Sequence, residues 1–151
     1  MNSDDTMLLR VVTPHGAILE QPATSVALWT AMGEIEVLLG HAPTVVLLEP
    51  GEMRVRNEAG ETQVFAAGEG FAEIDGKSVT VFSDMAEDAD GFALEQAEEA
   101  KNRAEKAVPA AAKLTDDERQ EADLALRESL VKIQITLRRK GGNRRAPAPD
   151  L

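Results

Sequence analysis

Short apolar runs, most of them alternating with polar residues and separated by turn formers, fill the chain from Met7 to Ser83 and predict strands. They are Leu8 to Thr13, Ser25 to Ala31, Ile35 to Leu39, Thr44 to Leu48, Glu52 to Arg56, Thr62 to Ala66, Gly70 to Ile74 and Ser78 to Phe82. Alternation is plainest where Met53 and Val55 interleave with Arg54 and Arg56, and where Val79 and Val81 interleave with Ser78 and Thr80, so these strands bury one face. Between the runs sit Pro14-His15-Gly16, Gly40 to Pro43, Pro50-Gly51, Asn57 to Gly60 and Asp75-Gly76. Asp75-Gly76 is the strongest hairpin signal, because a two-residue turn there matches the strand twist. The spacing is that of a β sandwich or flattened barrel.

The pattern changes at Asp84. From Asp90 to Val108 alanines at 93, 97, 100, 104 and 107 form the seam of a helix, which Pro109 ends. A second helix starts at Thr115-Asp116-Asp117-Glu118, a hydroxyl followed three residues later by a carboxylate, as in a capping box. It runs to about Lys140, carries a stripe of Ala122, Leu126, Leu130, Ile133 and Leu137, and stops at Gly141-Gly142. The short connection makes the pair an antiparallel helical hairpin. The expected organisation is a β domain over residues 1–86, a C-terminal α-helical hairpin over 87–142 and a disordered, Pro-rich tail over 143–151.

Charge narrows the function. The net charge of −11 excludes nucleic acid as the main partner, since phosphate binding needs a surplus of Lys and Arg. Residues 127 to 145 are nevertheless net +6, leaving −17 for the remainder, so the end of the second helix suits an acidic protein surface. No cysteine is present, which removes disulfides, thiolate metal sites and Cys nucleophiles. The first residues lack the basic start and apolar run of a secretory signal, and no stretch is apolar enough to span a bilayer, so no direct membrane insertion is expected.

Catalytic candidates fail on inspection. His15 and His41 have no carboxylate at ligand spacing, and each reads as a turn or interface residue. Gly68-Glu69-Gly70 lacks the Lys and Ser/Thr of a phosphate loop, and reads as a strand entry. Glu34 and Glu36 share a face of an extended segment, where paired carboxylates mark a solvated or docking edge more often than an acid/base pair. Trp29 suits core packing or an interface equally.

The most informative segment is Gly33 to Pro43, GEIEVLLGHAP, a strand between two constrained glycines with Glu34 and His41 at its ends. It resembles the GE-(F/L)-G-(V/I)-L-P-GHAP segment of the epsilon subunit of F-type ATP synthases, and departs from it at Glu36, usually Gly, and Leu39, usually Pro. Further similarity lies in Arg10 to Pro14, Pro50-Gly51, Gly68 to Ile74 (GEGFAEI), Val79 to Asp84 and the Glu95 to Ala100 helix, so that it covers roughly Met7 to Lys140.

The resemblance implies a non-catalytic rotor subunit, peripheral on the cytoplasmic face of the bacterial inner membrane, coupling the catalytic head to the ring in proton-driven ATP synthesis. Its implied partners are the gamma subunit, the c-subunit ring and, through an extended hairpin, the alpha and beta catalytic subunits. Glu34, Gly40, His41 and Pro43 are the expected ring and gamma contacts, and Arg127, Lys132, Arg138 and Arg139 the expected inhibitory contact of the hairpin with the head. Relatives that bind ATP in the hairpin carry an I/L-D-x-x-R-A segment. Ala93 and Gln96 stand here in place of its Asp and Arg, so no cofactor is expected and ATP binding should be weak or absent. The other class of function open to such a chain is a stand-alone β-sandwich adaptor that binds an acidic protein.

Overall fold

The computed structural model describes residues 5–91, 94–107 and 113–141. Ten strands and two helices follow in the order β1 (Met7–Thr13), β2 (Gly16–Ala23), β3 (Ser25–Thr30), β4 (Gly33–Leu38), β5 (Thr44–Leu48), β6 (Gly51–Arg56), β7 (Thr62–Ala67), β8 (Gly70–Ile74), β9 (Ser78–Ser83), β10 (Ala86–Asp88), α1 (Leu94–Ala107) and α2 (Asp116–Gly141). The strands run β10-β7-β6-β3-β5-β8-β9-β1-β2 across one curved sheet, with β4 paired to β3 off that path. Pairings are antiparallel except β1 with β9, where Leu9 lies beside Val79 and Val11 beside Val81.

Curvature folds the inward faces onto one another. Met7, Leu9, Val11, Val26, Leu28, Val37, Met53, Val55, Val79 and Val81 are almost wholly buried there, as alternation requires of strands with one dry face. Gly70 permits a close crossing: it has φ +156, and a Cβ on it would collide with the Phe82 carbonyl.

Two strands escaped the sequence pattern. β2 contains Pro22, which cannot donate to a ladder, and it lies at the sheet edge, where that loss is tolerated. β10 has only three residues, too few to show a period. Both the β1–β2 and β3–β4 hairpins place a two-residue turn between a Thr and a Gly: Thr13 and Thr30 hydroxyls donate to the carbonyls of Gly16 and Gly33 at 3.2 and 2.7 Å. The turn expected at Asp75-Gly76 lies one residue later. Asp75 N–H donates to the Ser78 carbonyl at 3.1 Å across Gly76 (φ +90) and Lys77, while the Asp75 carboxylate accepts from the N–H groups of Lys77 and Ser78 at 2.9 and 2.6 Å. Those bonds, the Lys77 one first, hold the Asp75 carboxyl below its usual range.

The capping box forms as read: Thr115 N–H donates to Glu118 Oε2 at 2.7 Å and Glu118 N–H to Thr115 Oγ1 at 3.3 Å. Of the alanine seam, Ala97 is buried and Ala100 and Ala104 are half-buried. Ala93, Val108, Pro109, Gly142 and the tail 143–151 lie outside the described residues. The α2 stripe needs correction. Leu130 and Leu137 are exposed, whereas Ile135 is 2% exposed. In its C-terminal half α2 turns a second face, Val131 and Ile135, onto Val64, Ala66 and Ala89 of the β domain, in a small apolar cluster separate from the main core.

Candidate functional site

Gly40 to Pro43 forms a pinned loop. Gly40 adopts φ +83, as its position in the segment suggested, and its N–H donates to the Gly76 carbonyl at 2.7 Å, tying the loop to the β8–β9 turn. His41 N–H closes back on the Leu38 carbonyl at 3.0 Å. Its ring Nδ1 lies 2.8 Å from the Ala42 carbonyl, an acceptor only, which places the proton on Nδ1. Ala42 and Pro43 are exposed beside Leu38 and Leu39, so the loop presents a stiff, mostly apolar tip.

Glu34 is not part of that tip. It opens β4 at the other end, with roughly 13 Å of strand between it and Leu38. There it accepts from Arg54 Nη2 at 2.6 Å; Arg54 Nη1 reaches Glu52 Oε1 at 3.1 Å, and Glu52 Oε2 accepts from Arg138 on α2 at 3.0 Å. The structure thus separates Glu34 from His41 and joins it, through Arg54 and Glu52, to the helical hairpin. Nothing in the sequence spacing signals that chain of ion pairs. Trp29, 43% exposed, lies over Gly51, where any Cβ would overlap its side chain, and borders a cleft of about 230 Å³ together with Val131, Ile135 and Arg138.

The basic side chains of α2 do meet acids, but those of their own chain. Arg127 lies 3.6 Å from Glu69, Lys132 2.8 Å from Glu87 and Arg138 3.0 Å from Glu52. The side chain of Arg139 lies outside the described residues. Each pair has at least one side chain more than 40% exposed, so solvent screens it to about 0–1 kcal/mol and the pairs set the register of docking more than its strength.

Between them sits a group the sequence did not signal. Gly68, buried in the β7–β8 turn, faces two carboxyls: a Cβ there would collide with Asp84 Oδ1 and lie 2.8 Å from Glu128 Oε1. Burial first, then the charge of Asp84 and a hydrogen bond with it, push the Glu128 carboxyl up to about 7, against a lowering by Lys132. The bareness of Gly68 is the only local hint of this packing.

Among the described residues no cluster of His, Asp or Glu could hold a metal ion, and no helix is long and apolar enough to cross a membrane. A second surface is apolar: Leu47 of β5, Phe71 of β8, Phe82 of β9 and Val12 of β1 are register partners on the outward face. Leu47 is 70% exposed and its neighbour Val45 64%, and the Phe71 and Phe82 rings stack at 4.9 Å. Such a row on an outer face marks a contact site.

Comparison with known proteins agrees with this arrangement. Residues 6–89 match the family described as ATP synthase, Delta/Epsilon chain, beta-sandwich domain. The ATP synthase epsilon chain of Macrococcus caseolyticus is 35% identical over 135 residues, covering 85% of this chain and 95% of that one. That of Exiguobacterium sp. is 34% identical over 131 residues, covering 87% and 96%. A chain of the Euglena gracilis mitochondrial ATP synthase, solved with OSCP, F1 and c-ring, superposes with a TM-score of 0.71 at 23% identity over 87% of this chain and 81% of that one. With the family match spanning residues 6–89 and epsilon chains 34–35% identical along nearly their whole length, the chain belongs to the ATP synthase epsilon chain family.

Proposed function

We propose that the chain works as a non-catalytic central-stalk subunit that couples the catalytic head to the c-subunit ring, and that its hairpin restrains ATP hydrolysis when it lifts from the β domain. The observation that carries the regulatory part is the shared use of α2's cations. Arg127, Lys132 and Arg138 hold the hairpin on Glu69, Glu87 and Glu52, so they reach carboxylates of alpha and beta subunits only after leaving these. Docking and reach exclude each other, which is what a switch needs.

The β domain supplies the mechanical part. Torque passes without slippage through a body whose strands are cross-bonded and whose loop is fastened by Gly40 to Gly76. In this reading the Gly40 to Pro43 tip meets the polar loops of the c-ring, and the apolar row Leu47, Phe71, Phe82 and Val12 meets the gamma subunit. Glu34, locked in the Arg54 network, acts from the hairpin side. The protein stays peripheral on the cytoplasmic face of the membrane through these partners. ATP binding to the hairpin is weak or absent, since Gln96 replaces a basic residue on α1 and Ala93 an acidic one.

The test is ATP hydrolysis by the purified catalytic head with and without the full chain, compared with a chain ending at Asp88. Inhibition lost on truncation is the expected result. Binding without inhibition by the full chain would remove the regulatory role, and failure to bind the head at all would overturn the rotor assignment.

A further inference from the structure

We propose that the carboxyl pair Asp84–Glu128, set against Gly68, is a proton-operated latch for the hairpin: with a proton held between the two carboxyls α2 stays docked on the β domain, and release of that proton to solvent lets α2 lift. The inference concerns docking alone and does not depend on what the hairpin touches once released.

The geometry brings two acids together over Gly68, Glu128 half-buried under α2 and Asp84 at the exposed rim. Glu128 sits on the α2 face that also carries Val131, Lys132 and Ile135, so its carboxyl enters the β domain whenever that face docks. Asp84 is fixed from the other side, because its own N–H donates to the Glu69 carbonyl at 2.9 Å. Gly68 closes the floor, its N–H donating to Ser83 Oγ at 3.0 Å and the Met85 carbonyl at 2.9 Å. Two carboxylates meeting there resist joint ionisation, and Glu128, the one that burial also disfavours as an anion, is the one that keeps a proton.

The other charges nearby do not cancel this one. Glu69, from the β7–β8 turn, adds negative charge and engages Arg127. Lys132 lowers the Glu128 carboxyl, but it is also committed to Glu87 of β10 at 2.8 Å. Arg127 is shared between Glu69 and Asp123. On α1, the Lys101–Glu105 pair is self-contained at 3.7 Å. The apolar part of the docking surface is small, confined to Val64, Ala66, Ala89, Val131 and Ile135, so a change at one carboxyl pair weighs heavily in the balance.

The direction follows from linkage. Docked, Glu128 keeps its proton up to about pH 7; undocked, it returns to the ordinary value of 4.5. Between these limits the docked state binds more protons, so docking is strongest below pH 4.5, weakens as pH rises through 7 and is level above. The limit is tenfold in the docked-to-open ratio per pH unit; solvent screening of a part-exposed pair reduces the total to about tenfold.

The chain has no cysteine, so one thiol placed at Ala66, which α2 covers, reports opening by its labelling rate relative to a free thiol. In the Ala66→Cys protein, protection should fall about tenfold from pH 5.5 to 8.5. Adding Glu128→Gln, which keeps the shape without the charge, should leave protection high and flat, and adding Asp84→Asn should move the transition to lower pH. A Val79→Cys thiol in the main core reads global unfolding and should show no such step. A flat profile in Ala66→Cys, or an unchanged step after Glu128→Gln, would overturn the latch.

Discussion

Replacing Ile135 by alanine should free the hairpin while leaving the β domain intact. Ile135 is 2% exposed and packs with Val64, Ala66, Ala89 and Val131, in a cluster that shares no buried residue with the main core. The substitution removes three carbons, which at about 0.8 kcal/mol each comes to about 2.4 kcal/mol. A cavity penalty would add to this in a rigid core, but a helix resting on a sheet can settle into the space, so the transfer value is the better guide. In the docked-to-open ratio that is about 50-fold. By contrast, Arg138→Gln loses one ion pair whose arginine is exposed and whose Glu52 keeps Arg54 as a partner, worth under about 1 kcal/mol and so less than about fivefold. Thiol labelling at Ala66→Cys measures both, and labelling at Val79→Cys measures the β domain. The reasoning fails if Ile135→Ala speeds labelling at 66 by less than threefold. It fails equally if labelling at 79 rises in step, since hairpin and sheet would then unfold as one unit.

Phe71→Asp places a charge at the centre of the outward row formed with Leu47, Phe82 and Val12. It should weaken binding to an isolated gamma subunit by about 30-fold or more, with the thermal transition of the β domain shifted little. Unchanged gamma binding in a titration would show that this face looks elsewhere. Thr115→Ala removes the hydroxyl that accepts from Glu118 N–H and donates to its carboxylate, while the backbone N–H of residue 115 still donates to Glu118, and circular dichroism should show lost helicity at neutral pH. The Glu118 carboxyl lies below its ordinary value because of its bonds to the Thr115 N–H and then to the hydroxyl. The hydroxyl's bond to the ionised carboxylate is therefore present above pH 4.5 and lost as pH falls through the depressed value, so the gap between parent and variant helicities should narrow in acid without closing, because Thr115 Oγ1 still accepts from Glu118 N–H in the parent.

Much of the fold was legible because alternation survives wherever one strand face is dry. Met53 and Val55, or Val79 and Val81, could hardly be anything else. What was missed had a local cause. Pro22 argues against a strand everywhere except at an edge, and only the assembled sheet makes β2 an edge. The α2 stripe was read as one face, but Val131 and Ile135 belong to a second face at a different angle, and two faces blur a single period. The site was less legible. Gly40 and the GHAP loop follow from local chemistry, whereas Glu34 bonding Arg54 and Glu52 bonding Arg138 join residues 20 and 86 positions apart. The basic stripe calls for an acidic surface, and in this structure Arg127, Lys132 and Arg138 meet carboxylates of the β domain itself. Asp84 and Glu128 gave no signal, because two carboxyls meeting across a bare glycine is a property of packing alone.

The arrangement places opposing terms at one junction. Ile135 and its neighbours favour docking by a few kcal/mol, the three ion pairs add little, and the Asp84–Glu128 contact opposes docking once its proton is gone. A conformational equilibrium shifts fully from one state to the other when differential interactions reach about 5.5 kcal/mol, more than three exchanged ion pairs supply at about 0–1 kcal/mol each, so a partner that takes Arg127, Lys132 and Arg138 must also offer packing contact to α2. A larger apolar interface would fix the hairpin beyond the influence of such a partner; a smaller one would leave it open regardless. The separation of the Ile135 cluster from the main core lets this balance be set without loosening the β domain, whose core lies between Met7 and Ala86. Stiffness and switching are therefore assigned to different residues, and a substitution that alters one can be tested for its silence on the other.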